Sequence, residues 1–116
     1  MEDDLVAQGR VIRLETRGRS SGLPRSVAVG FAADEGGDGS LLVAARSADT
    51  AWARNLLAEP RCRVTLGARR FEAIAEPLAR DEHIRAVGAL IVRYGTPSED
   101  LARGPSFRLR PVREEP

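Results

Sequence analysis

The stretch LETRGRSSGLPRSVAV, residues 14–29, joins two apolar segments through a turn rich in glycine, serine and arginine. On one side, residues 10–16 alternate apolar and polar positions with a period near two, which is typical of a β-strand. Residues 25–34 continue with valines and a phenylalanine after the break at 22–24. The stretch therefore predicts two consecutive strands joined by a basic turn.

The turn carries the groups that proteins use to bind anions. Its glycines let the backbone turn closely, its serines offer hydroxyls and amides, and its arginines present forked donors to phosphate or carboxylate oxygens. These residues are Gly18, Gly22, Ser20, Ser21, Arg19 and Arg25. Basic turns of this composition are also common as plain solvated hairpins, so both interpretations stay open at this point.

Outside this stretch the pattern predicts further short strands and two helices. Asp49 or Thr50 can cap the first helix, which Pro60 must end. Asp81 can cap the second helix, and Gly95 ends it. A hairpin is expected where the strands on either side of residues 67–68 meet. The predicted strands are 10–16, 25–34, 41–45, 61–66, 69–76 and 106–112.

The predicted fold is mainly β with two helices, in the order β-β-β-α-β-β-α-β. Short connections favour antiparallel pairing, and six strands in 116 residues favour closure into a barrel, which removes exposed edges. Two architectures share this order, the OB-fold and the split β-barrel of flavin-type binding proteins. In either case residues 10–116 form one domain, and residues 1–9 form a short N-terminal tail.

Charge and aromatic content separate these two architectures. The chain has 18 basic residues, all arginine, and 17 acidic ones, so its net charge of +1 creates no overall attraction to nucleic acid or membrane. An OB-fold that binds single strands needs aromatic platforms on its strands. Only Phe31, Phe71 and Phe107 fall on predicted strands. A nucleic-acid partner is therefore excluded, and the split β-barrel is favoured.

The remaining composition predicts a soluble, cytoplasmic protein. No apolar run approaches the ~20 residues needed to span a bilayer, so no integral membrane segment is expected. No N-terminal run resembles a signal peptide. The single cysteine, Cys62, cannot form an internal disulfide, and a buried strand thiol is the favoured interpretation. With no second histidine or paired cysteine near His83, no metal site is predicted.

Residues 14–29 resemble the deazaflavin (coenzyme F420)-dependent nitroreductase family, in which a strand ends in Thr-x-Gly-Arg-x-Ser-Gly-x-Pro-Arg. The segment WARNLLAEPRCRVTLGARRFEAIAEPL, residues 52–78, resembles the same family's Trp-x-x-Asn-Leu motif and the hairpin after it. FRLRPVREEP, residues 107–116, resembles its closing strand. The resemblance runs from about residue 10 to the C-terminus, with the elements in the same order.

This resemblance implies a split β-barrel that binds F420 in a groove between the barrel and its helices, with FMN or FAD as the alternative cofactor. Trp52 and Asn55 match the helix motif beneath the groove and are expected to support it more than to contact the cofactor. The residues implied for cofactor binding are Arg19, Ser20, Ser21, Arg25, Ser26, Ala45, Arg46, Ser47, Trp52 and Asn55.

The implied reaction is hydride transfer from reduced F420 to a small electron-poor or unsaturated organic compound. Tyr94 matches a region where the family uses tyrosine at the substrate pocket, although it also continues the apolar stripe of the second helix. The segment at 47–51 is short for the family, and so is the N-terminus. A non-catalytic cofactor- or lipid-binding protein is therefore the alternative. Flavin-type split barrels often pair, so a homodimer is one possible state, and the sequence leaves the oligomeric state open.

Overall fold

One antiparallel sheet of seven strands organises the part of the chain that the structure, a computed structural model, describes: residues 2–36, 38–95 and 103–115. The strands are β1 Ile12–Arg17, β2 Pro24–Val29, β3 Ala32–Ala33, β4 Leu41–Ala44, β5 Arg61–Leu66, β6 Arg69–Pro77 and β7 Ser106–Glu115. The helices are α1 Glu2–Ala7, α2 Ala51–Ala58 and α3 Arg80–Tyr94. The prediction of a mainly β, antiparallel protein is thus confirmed.

The order of strands in the sheet makes it curl. Hydrogen bonding runs β2-β1-β5-β6-β7-β4-β3, so the two edge strands, β2 and β3, are neighbours in the chain. Only Gly30 and Phe31 separate them. Because the two edges must come together at this point, the sheet forms a half-barrel with α2 and α3 packed on it.

The prediction of six strands is wrong because residues 25–34 form two strands instead of one. The ring of Tyr94 lies against the backbone at Gly30, where an added Cβ would be 3.1 Å from Tyr94 Cε2. The next amide, that of Phe31, donates to the Tyr94 hydroxyl at 3.1 Å. The strand is interrupted here, and the chain passes from one edge of the sheet to the other.

The prediction of two helices is also incomplete, because residues 2–7 form the additional helix α1. Val6 of this helix is buried, and its carbonyl accepts a hydrogen bond from the Gly67 amide of the β5–β6 turn at 3.0 Å. Six residues contain too few apolar positions to show a helical period, so only this tertiary contact reveals the helix. None of the helices in the described ranges is long and apolar enough to cross a membrane.

The interior of the half-barrel holds the main core. Trp52 packs from α2 onto Phe107 of β7 with ring centroids 6.1 Å apart. A separate cluster holds α3 through Val87 and Leu90, which pack on β3 and β4. The largest fully buried apolar side chains are Phe71, Phe107, Ile12, Leu14, Leu56, Leu109, Val43 and Val64.

Gly104, which precedes β7, permits a close backbone crossing. It is buried, and a Cβ added there would lie 2.1 Å from the Ala45 carbonyl oxygen and 2.7 Å from the Ser47 amide nitrogen. The Ala45 amide also donates to the Pro105 carbonyl at 2.9 Å. This crossing fixes the segment that leads from β4 towards α2.

We expect Gly104→Ala to lower the free energy of unfolding by about 1–3 kcal/mol, because the new methyl group has no space against the 45–47 backbone. Gly88→Ala is the matched control, since no atom lies within 4 Å of a Cβ at this exposed helical position. It should be neutral or stabilising by up to about 1 kcal/mol. Urea unfolding of both variants measures the difference, and equal stabilities would contradict the close crossing.

Candidate functional site

A cavity of about 580 Å³ lies between the β1–β2 turn, strand β2 and the start of α2. Its volume is in the range of small-molecule and cofactor sites. The lining residues come from two segments that are distant in the sequence, 16–27 and 50–55. They are Thr16, Gly18, Arg19, Ser20, Ser21, Arg25, Ser26, Val27, Thr50, Ala51, Trp52 and Asn55.

Most of the residues predicted to bind a cofactor meet in this cavity. Those that line it are Arg19, Ser20, Ser21, Arg25, Ser26, Trp52 and Asn55. Ala45, Arg46 and Ser47 are not among the lining residues. Ala45 is buried beneath the Gly104 crossing, whereas Arg46 and Ser47 are exposed on the following turn. Their role towards a cofactor stays a prediction.

The turn between β1 and β2 is closed by its own backbone. The Gly18 amide donates to the Leu23 carbonyl at 2.8 Å, and the Gly22 amide donates to the Gly18 carbonyl at 2.7 Å. Gly22 has φ +70°, a left-handed conformation that favours glycine. The Ser21 hydroxyl accepts from the Leu23 amide at 3.1 Å. These bonds hold the segment between Gly18 and Gly22 in one compact loop.

Asn55 fastens this loop to α2. Its Oδ1 accepts two hydrogen bonds from Arg19, one from the backbone amide at 3.2 Å and one from guanidinium Nη1 at 2.9 Å. Its Nδ2 donates to the Thr16 hydroxyl oxygen at 3.1 Å. Because the Asn55 side chain is buried, these bonds satisfy its amide away from water. The predicted supporting role of Asn55 thus has a specific geometry, in which it orients Arg19.

The lining of the cavity is positively charged. It includes Arg19 and Arg25 and no acidic residue. Neither arginine forms an ion pair with a carboxylate in the described ranges. The N-terminus of α2 also faces the cavity, and no side chain caps it, because the Thr50 hydroxyl accepts from the Ser47 amide instead. Helix N-termini and unpaired guanidinium groups both attract anions.

The lining also contains apolar residues, Val27, Ala51 and the half-buried Trp52. A cavity that combines cationic and apolar groups suits a ligand that has an anionic group and a ring. The profile of the F420H(2)-dependent quinone reductase family matches residues 4–100, which include every residue of this cavity. The chain belongs to this family. The resemblance to F420-dependent enzymes inferred from the two motifs is therefore confirmed.

Solved structures show how widely the fold of this family member is used. An F420-H2 dependent reductase, FDR-A, has a TM-score of 0.72 at 19% identity, with 87% of this chain and 94% of that chain covered. The heme storage protein HutZ from Vibrio cholerae has a TM-score of 0.72 at 20% identity, covering 96% and 87%. At these low identities, the TM-scores show a shared fold and no more. Among proteins of curated function, no significant match to the chain was found.

A third solved structure, described as a domain-swapped dimer, has a TM-score of 0.73 at 18% identity and covers 93% of this chain and 92% of that chain. The shared architecture is a half-barrel of the split-barrel type. Within this fold the present chain places its cationic turn beside the start of α2.

A second cavity, of about 950 Å³, adjoins the first and shares Thr16, Gly18 and Arg19 with it. Its wall mixes both signs of charge, and Arg63 in it is paired with Glu115 at 2.7 Å. Three acidic residues, Glu15, Glu59 and Glu72, line it beside five arginines, which makes this cavity less selective for anions than the first. The residues that only the second cavity contacts are Glu15, Arg17, Gly22, Ala58, Glu59, Arg61, Cys62, Arg63, Glu72, Ala73, Ile74, Val112 and Arg113.

Cys62, which lines the second cavity, is a buried core residue. Its side chain is buried in the main core, and its Sγ lies 3.6 Å from the Ala73 carbonyl. Desolvation by burial raises the pKa of the Cys62 thiol to about 12. The thiol is therefore protonated at neutral pH and does not act as a nucleophile.

Tyr94, the residue predicted to act on the substrate, does not line either cavity. Its hydroxyl donates to the Arg10 carbonyl at 2.6 Å and accepts from the Phe31 amide at 3.1 Å and from Arg93 Nε at 2.9 Å. These bonds join the end of α3 to the start of β1 and to the junction of β2 with β3. The catalytic role stays a prediction, while the contacts observed are those of a structural clamp.

Five residues that line the first cavity are absent from the predicted cofactor-binding set: Thr16, Gly18, Val27, Thr50 and Ala51. Thr16 stands at the first position of the motif that carries the family resemblance, so a signal for it was present. Val27 lies on a strand whose alternating residues indicate that one face is buried, but this alternation does not show which residues pack on that face. Thr50 and Ala51 begin α2, and only the packing of the helix turns its N-terminus towards the cavity.

We expect Tyr94→Phe to lower the free energy of unfolding by about 1–3 kcal/mol, because the Phe31 amide and the Arg10 carbonyl both lose their partner. Affinity for F420 should change less than twofold, since the side chain lies outside the cavity. Thermal unfolding and ligand titration of the same variant provide the two measurements. A loss of turnover with unchanged stability would instead support a catalytic Tyr94.

Proposed function

We propose that this chain binds reduced F420 in the 580 Å³ cavity and transfers hydride from it to a small electron-poor or unsaturated organic compound, with quinones as the first class to examine. One observation carries the proposal. In a chain that belongs to an F420H2-dependent family, the predicted turn and the predicted helix meet around a cavity with two arginines and no acidic residue.

The lining residues fit such a cofactor by their chemistry. Arg19, Arg25 and the uncapped N-terminus of α2 would hold its phosphodiester and carboxylate oxygens, because all three are donors with positive charge or partial charge. Val27 and Trp52 would cover part of its ring, because they are apolar residues of the same lining. Asn55 would keep Arg19 in place while the anion is absent or present.

When bound, reduced F420 supplies a hydride from a ring carbon in a two-electron step. The protein then has to position the acceptor and exclude water. Binding energy from the cationic groups would orient the ring, and the apolar groups would keep solvent away from the reacting faces. Donors that the anionic groups of the cofactor leave free, above all Ser26 of β2, would stabilise negative charge that develops on an acceptor oxygen.

The second candidate function is cofactor or lipid binding without catalysis, including binding of FMN or FAD. A specific observation favours it: the lining contains no His, Asp, Glu, Cys, Lys or Tyr that could supply a proton. The one tyrosine has its hydroxyl engaged outside the cavity. A reductase built this way would take its proton from water, whereas a binding protein would need none.

Titration of the purified protein with F420, FMN and FAD, followed by fluorescence, separates these candidates. Reduced F420 is then mixed with a quinone, a nitroaromatic compound and an enone, and its oxidation is recorded. We expect F420 to bind most tightly and the quinone to be reduced. Sedimentation of the same sample decides whether a homodimer forms, as in the domain-swapped neighbour.

Three results would redirect the proposal. Absence of F420 binding at tens of micromolar would contradict it. Binding of F420 without oxidation in the presence of any acceptor would favour the non-catalytic function. Tighter binding of FMN or FAD than of F420 would show that the cofactor is a flavin instead of F420.

We expect Arg19→Ala and Arg25→Ala each to weaken F420 binding by about 1–3 kcal/mol, the scale of a lost charged hydrogen bond. Arg85→Ala is the matched control, because this exposed arginine on α3 lines neither cavity. Isothermal titration calorimetry measures all three variants. Equal F420 affinities of Arg19→Ala and the control would show that the turn is a solvated hairpin without a role in cofactor binding.

A further inference from the structure

Within the described residues, the hydroxyl proton of Thr16, near the end of β1, has no acceptor. The residue is 1% exposed and lines the 580 Å³ cavity. A threonine hydroxyl can donate one hydrogen bond and accept two. One acceptor position is used by Asn55 Nδ2 at 3.1 Å, and the hydroxyl donates to no group in the described ranges. A buried donor left unused in this way costs free energy unless a ligand accepts from it.

Asn55 determines in which direction that proton can point. Its Oδ1 accepts from both the amide and the guanidinium of Arg19, so its nitrogen must face Thr16. In the reversed orientation the NH2 group would face two N–H donors, and the arrangement would lose both bonds. Because Nδ2 is a donor, it cannot accept the Thr16 proton, and the hydroxyl has to donate away from α2.

Thr16 is also placed between the two arginines of the cavity. It is the cross-strand partner of Arg25 in the β1–β2 register, so the two side chains project from the same face of the sheet. Through Asn55 it is connected to Arg19. A ligand oxygen that both guanidinium groups attract would therefore lie next to the free hydroxyl proton.

We infer that the Thr16 hydroxyl is a direct donor to an oxyanion group of the ligand, and that Asn55 is the positioning residue that fixes its polarity. Thr16, Arg19 and Arg25 then all act as donors at this point of the cavity, which favours a group that only accepts, such as a phosphodiester or a carboxylate. The identity of the ligand as F420 rests on the proposed function, whereas the donor role of Thr16 does not.

Thr16→Val removes the hydroxyl and keeps the shape of the side chain, and Thr16→Ser keeps the hydroxyl. We expect Thr16→Val to weaken F420 binding about 10- to 100-fold and Thr16→Ser to stay within threefold of the wild type. Thermal unfolding identifies variants that do not fold, and Thr16→Ala replaces Thr16→Val in that case. Affinity equal to the wild type for the variant without a hydroxyl would overturn the inference.

A double-mutant cycle with Arg19→Ala distinguishes a direct donor from an indirect effect. If Thr16 acts only by supporting Asn55 and Arg19, then Thr16→Val will have no further effect once Arg19 is gone. If Thr16 donates to the ligand itself, the loss should remain at least fivefold in the Arg19→Ala background. The first result contradicts the direct role, and the second supports it.

Titration with inorganic phosphate and with acetate, followed by NMR, tests Thr16 independently of F420. We expect the wild type to bind one or both anions. Thr16→Val should weaken the affinity for the preferred anion at least tenfold. The anion that the wild type prefers shows whether the site suits a phosphate or a carboxylate. Anion binding without F420 binding would contradict the proposed function alone. F420 and anion binding that are both unaffected by Thr16→Val would contradict the inference alone, and absence of all binding would contradict both.

Discussion

The edge strands of the sheet, β2 and β3, are joined by only two residues, and the rest of the structure depends on this constraint. In a flat sheet of seven strands the two edges would lie about 29 Å apart. Two intervening residues let the ends of the strands separate by no more than about 11 Å. The sheet must therefore curl. Tyr94 holds the junction in two ways. Its hydroxyl accepts a hydrogen bond from the Phe31 amide, which interrupts the strand, and its ring packs on Gly30.

The curl also creates the candidate site. It brings β2 around to the side on which α2 covers the barrel, so the basic turn and the helix N-terminus face the same space. The buried amide of Asn55 then joins the turn to the helix by three hydrogen bonds to Arg19 and Thr16. An isolated arginine on a mobile turn would lose side-chain entropy on binding an anion. Here the fold has already restricted Arg19.

Local pattern predicted a large share of the fold and of the site. The bounds of β5 agree with the prediction, and most other elements differ at one or both ends by one to three residues, because alternation and end signals are local properties of the chain. The turn at 18–22 and the pair Trp52 and Asn55 were recognised as motifs, and the structure places them around one cavity. The split of residues 25–34 was not predictable, since Gly30 and Phe31 continue the apolar pattern and only contact with Tyr94 interrupts it.

The sequence by itself determined the class of the protein: a near-neutral, mainly β chain with an arginine- and serine-containing turn and a second motif at the spacing of the F420-dependent family. These properties follow from composition and short-range order. Only the tertiary structure decided that the two motifs share a cavity, that Ala45, Arg46, Ser47 and Tyr94 lie outside its lining, and that Thr16 has an unused donor inside it. The physical reason is that burial and hydrogen-bond satisfaction depend on which distant residues come into contact, and the curl of the sheet determines those contacts.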